Sequence, residues 1–68
     1  MTIKNKFVVY RIKKGGVICS RLTSELYKDI INVFTKSEDI EWVKLAKMTK
    51  KGLIFTAEID KEGQKKRL

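Results

Sequence analysis

The stretch IEWVKLAKMTK, residues 40–50, decides the fold. As a strand it sends Trp42, Ala46 and Met48 one way and Val43, Leu45, Lys47 and Thr49 the other, with Lys44 among the apolar set. As a helix it takes Ser37 as its cap, Glu38, Asp39 and Glu41 at its N-terminal end, and Lys50 and Lys51 before a Gly52 C-cap. Propensity alone favours the helix, because Ala, Leu, Lys, Glu and Met are good helix formers. Two features outside the stretch favour the strand. Residues 53–59, LIFTAEI, alternate Leu53, Phe55, Ala57 and Ile59 with Ile54, Thr56 and Glu58, and a strand directly after Lys51-Gly52 wants a hairpin partner. The chain also echoes itself: Val17-Ile18-Cys19-Ser20 and Leu53-Ile54-Phe55-Thr56 each follow a Lys-Lys-Gly turn.

Upstream, KFVVYRIKK places Val8, Tyr10 and Ile12 on one face and Phe7, Val9, Arg11 and Lys13 on the other. Lys14-Gly15-Gly16 tolerates the positive φ of a turn, and VICSRL (17–22) returns as a second strand. Folding about Lys14-Gly15 sets Ile12 opposite Val17 and Tyr10 opposite Cys19. Between the hairpins lies SELYKDIINVFTK (24–36). Leu26, Ile30, Val33 and Phe34 recur at helical spacing, Tyr27 and Ile31 widen the stripe, and Thr23 or Ser24 is the expected N-cap. The expected fold class is α+β: β-β-α-β-β, one antiparallel sheet with a helix across one face. A second helix over 38–50, giving β-β-α-α-β, is the alternative. Residues 1–60 form one small domain after a weakly held lead-in over 1–5, and 61–68, KEGQKKRL, form a basic, disordered tail.

Composition narrows the function. The 68 residues carry 16 Lys and Arg against 8 Asp and Glu, a net charge of +8. Such a field attracts polyanions. With a single cysteine and no histidine there is neither an intramolecular disulfide nor a Cys/His zinc site, so no cofactor or metal is expected. Nor is there an imidazole to activate Cys19 or a serine, and Cys19 reads as a small buried hydrophobe. The carboxylates group only at Glu38-Asp39-Glu41 and Glu58-Asp60-Glu62, as solvated charges balancing nearby lysines. The expectation is a non-enzyme with no small-molecule substrate. No apolar run reaches a secretory or membrane-spanning length, so a cytoplasmic protein without membrane association is expected.

Nucleic acid is the expected partner. Phosphate contacts fall to Lys13, Lys14, Lys50 and Lys51 at the turns, with Arg11, Lys44 and Lys47 extending the footprint. Trp42 offers a surface on which bases stack, Phe7 and Tyr10 being further aromatics of the strands; Tyr10 and Phe55 read first as core. A second expectation concerns the sheet face that a single helix leaves bare. With the pairing above, Phe7, Val9, Ile18, Val43, Leu45 and Ile54 gather there, a patch larger than soluble monomers usually expose. A homodimer joined sheet to sheet would cover it, as would an acidic protein partner, the chain then acting as a small inhibitor or adaptor of the sort mobile elements make.

Overall fold

The computed structural model describes residues 2–68, with side chains placed from Asn5 onward. Six elements follow in order: β1 (Thr2–Ile12), β2 (Gly16–Thr23), α1 (Ser24–Lys36), β3 (Ile40–Thr49), β4 (Gly52–Ile59) and β5 (Lys65–Arg67). All pairings are antiparallel and the sheet order is β2-β1-β3-β4-β5. Residues 40–49 are therefore a strand, and the β-β-α-β-β arrangement holds with one strand added. Tertiary pairing overrides the helical propensity of 40–50, since both β1 and β4 need a neighbour there.

The helix begins where expected. The Thr23 hydroxyl accepts from the Leu26 N–H at 3.0 Å, satisfying one of the orphan donors of the first turn. At the other end Lys61 takes over the capping. Its Nζ donates to the carbonyls of Phe34, Ser37 and Ile40 at 3.4, 3.3 and 3.0 Å and lies 4.2 Å from the centroid of the Phe34 ring. One cation thus ties the last helical turn, the following loop and the start of β3 together. Ile30 and Phe34 are buried beneath α1, whereas Val33, expected in the apolar stripe, is exposed.

Under the helix lie Val8, Leu22, Ile40, Val43 and Ile59, with Tyr10 and Leu45 partly buried beside them. Each such aliphatic contributes about 1.5–3 kcal/mol by leaving water, so this one layer is the main source of stability in so short a chain.

The pairing details correct the expected faces. In the first hairpin Tyr10 pairs with Ile18 and Ile12 with Gly16, one residue from the expected register. Three residues, Lys13 to Gly15, make the turn, and Gly16 enters β2 at φ +82°. The Lys13 N–H donates to the Asp39 carbonyl (2.9 Å), outside the hairpin. A one-residue slip turns every side chain over. Ile18 and Leu22 therefore face the helix, and Cys19, expected inside, is exposed on the opposite face.

Two bulges complete the change. Glu41 is the extra residue opposite Arg11/Ile12, which lets Ile40 and Val43, three apart, both face the helix. Thr56 is the extra residue opposite Leu45/Ala46, so Ala57 and Ile59 face the helix while Leu53 and Phe55 face away. Of the six residues expected together on the bare face, only Phe7 and Val9 lie there. Val43, 1% exposed, is core; Leu45 packs against it, and Ile18 and Ile54 share its side of the sheet. The patch that motivated a sheet-to-sheet dimer thus loses four of its six members.

The chain ends differ too. The expected lead-in over 1–5 joins β1 from Thr2, Met1 lying outside the described residues. Residues 61–68, expected as a tail, instead turn at Asp60, whose carboxylate accepts from the Glu62 and Gln64 N–H groups at 3.0 and 2.9 Å, and return as β5 along β4.

Candidate nucleic-acid interface

The sequence-predicted cations do not form one footprint. Lys13-Lys14 and Lys50-Lys51 sit at opposite ends of the sheet, separated by the length of β3, about 30 Å for a ten-residue strand. Lys47 faces the helix side, in register with Lys6, whereas Arg11, Trp42 and Lys44 face away from it. Arg11 is already engaged: its Nε lies 3.0 Å from Glu41 Oε2. The two tips also differ in surroundings. Beside Lys13-Lys14 lie Glu38, Asp39 and Glu41 at the start of β3, with Asp60 and Glu62 at the same end of the sheet two strands away. Around Lys50-Lys51 the chain runs from Trp42 to Ala57 without an acidic residue.

On the open face the structure assembles a set of aromatic residues. Phe7 and Phe55 flank Ala46 in register across three strands, and Trp42 lies further along β3. Lys44 stands between the aromatic rings, with Nζ 4.8 Å from the Trp42 centroid and 5.3 Å from that of Phe55. Such cation–π contacts are worth about 0.5–1 kcal/mol at exposed sites, weak enough to be exchanged for a ligand. Ala46 and Val9 are 0% and 4% exposed although no second layer covers them. The larger side chains around them form the roof. Phe55, expected in the core, is 47% exposed, because the Thr56 bulge turns it outward. Arg21 joins this face opposite Phe7, and Lys66 opposite Glu58.

The helix face carries a feature that sequence reasoning missed. The helix packs over β2, β1 and β3, leaving part of β4 and β5 uncovered. A cleft of about 590 Å³ lies along that step. Leu22, Leu45 and Ala57 line it together with Tyr27 of the helix; Lys6, Lys28, Lys65 and Arg67 supply its charge. No carboxylate is among its lining residues, and among the described residues none of these four cations has an ion-pair partner within 4.0 Å. They stand far apart in sequence, on three elements, so no local pattern marks them.

Among the described residues there is no group of three or more His, Cys, Asp or Glu that could hold a metal ion, and no helix long and apolar enough to cross a membrane. No family model, curated protein or solved structure matches the chain.

Proposed function

We propose that this protein binds single-stranded nucleic acid without catalysis, laying bases on the open face of its sheet and phosphates along the distal half of the β3–β4 hairpin, which is free of carboxylates. The observation that carries the reading is Lys44 held between Trp42 and Phe55, with Phe7 across Ala46. Aromatic rings on an uncovered sheet stack bases of any sequence, because every base has a π face. An entering base takes the place of the Lys44 ammonium on a ring and frees that cation for the neighbouring phosphate. Lys47, Lys50 and Lys51 add phosphate contacts in the distal half of the hairpin, where no acidic residue of either strand lies beside them to cancel them. The predominance of lysine over arginine, 13 to 3, suits phosphate contact rather than base reading.

Trp42 is the only tryptophan, so its emission reports this face directly. Titration with single-stranded oligonucleotides is expected to quench it, with an affinity that falls steeply as salt rises. Unchanged emission and no binding at low salt would overturn the reading.

A second reading has its own observation. Met48, Leu53 and Phe55 are 43%, 37% and 47% exposed on one side of the β3–β4 hairpin. They suit an apolar contact with a protein partner or a second copy of the chain. Under that reading Leu53→Asp abolishes assembly, measured by light scattering, while Lys-to-Ser changes at the turns leave it intact.

A further inference from the structure

We propose that the cleft on the helix face is a second phosphate site, occupied by the same strand after it crosses the edge of the sheet at β5. The inference rests on the open-face reading above and extends it to the other side of the molecule. Strand β5 is the link. Lys66 pairs with Glu58 and lies on the open face, while Lys65 and Arg67 pair with Ile59 and Ala57 and lie on the cleft side. The three residues thus place cations on both sides of the sheet edge. Lys66 lies 3.8 Å from Asp60 Oδ2 and opposite Glu58, while Lys65 and Arg67 have no ion-pair partner among the described residues. From Lys44 on β3 to β5 is two strand spacings, about 10 Å, a short step for an extended polynucleotide. Beyond the edge the cleft offers Lys6, Lys28, Lys65 and Arg67 from three elements, without an opposing carboxylate.

The charge distribution argues for a phosphate-bearing occupant. Unpaired cations gathered around a concave, partly apolar wall focus their field into it. The open face, by contrast, mixes its cations with Glu41 and Glu58, and Arg11 is already paired. The open face thus supplies aromatic rings with partly offset cations, and the cleft adds charge that no carboxylate opposes.

A length series separates the two sites. Oligothymidylates of about 4 and about 16 nucleotides, the range one small sheet domain covers, are titrated against Trp42 emission. Two double variants are compared with the unaltered chain: Lys6→Ser with Lys28→Ser, and Lys65→Ser with Arg67→Ser. The first pair leaves β5 untouched, so a local loss of that strand cannot mimic the result. The short strand should bind all three proteins within about twofold. The long strand should bind each variant about tenfold more weakly, with the salt slope reduced by about 1.4, or 0.7 for each phosphate no longer neutralised. Quenching by both lengths with long-strand affinity unchanged in the first pair overturns the cleft proposal and leaves the open-face reading standing. Equal losses at both lengths likewise overturn it, since the cations then act as a general field. Absence of quenching in the unaltered chain overturns the open-face reading and the cleft proposal with it.

Discussion

The two Lys-Lys-Gly hairpins share a sequence pattern and differ in almost everything the fold does with them. In the first, β1 and β2 contribute Val8 and Leu22 to the core, and the turn lies among Glu38, Asp39 and Glu41. In the second, the distal half from Lys47 to Phe55 lies beyond the helix, with Met48, Leu53, Ile54 and Phe55 exposed across both faces and no acidic residue nearby in the chain. Equivalent positions diverge accordingly. Cys19 and Phe55 occupy the same place in the echo and both face away from the helix, but only Phe55 offers an aromatic surface beside Lys44. Similar local sequence thus yields one hairpin and a second whose proximal half joins the core through Ile40, Val43 and Ile59 while its distal half stands exposed, and the difference arises from what packs alongside.

The largest expected contrast is in stability. Leu22→Ala should cost about 2–5 kcal/mol, as buried Leu truncations do. Leu53→Ala on the second hairpin should stay within about 0.5 kcal/mol, as exposed changes do. Urea midpoints measure both, and equal losses would remove the distinction between the hairpins.

Binding should show the reverse order. Phe55→Cys, which gives the second hairpin the residue of the first, should weaken oligonucleotide binding by about 1–3 kcal/mol, the value of one stacked base. Cys19→Ala should change it by less than about twofold. Isothermal calorimetry of both variants would contradict the account if Cys19→Ala proved the more damaging.

Smaller again is the difference between the turns. Lys50→Ser with Lys51→Ser should reduce the salt slope by about 1.4. Lys13→Ser with Lys14→Ser should reduce it by much less, because nearby carboxylates already offset that tip. Affinity measured across a salt series decides it.

How much of this was legible in the residues follows from where regular periods hold. The helix is plain, because Leu26, Ile30 and Phe34 keep a helical period and Thr23 caps it. The strand over 40–49 is legible through its neighbours rather than itself. The faces are not, for two reasons. The first turn takes three residues, shifting β2 by one, and no residue type in Lys-Lys-Gly-Gly distinguishes that loop from its neighbour in length. The bulges at Glu41 and Thr56 then exchange sides midway along β3 and β4, and a bulge leaves no mark on an alternating pattern. Strand β5 is hidden because Lys65-Lys66-Arg67 has no apolar residue at all; it pairs through its backbone against the Glu58 segment. The cleft escaped notice for the same reason, since two of its cations come from that strand.

The central claim is that the open face of the sheet, around Lys44, receives the bases of a single strand. The most direct measurement is Trp42 emission during titration with a single-stranded oligonucleotide at low and high salt, with the same sequence as a duplex for comparison. The single strand should quench the emission, less at high salt, and the duplex, whose bases are already stacked on one another, should quench it little. Equal quenching by both forms, or none by either at low salt, would contradict that claim.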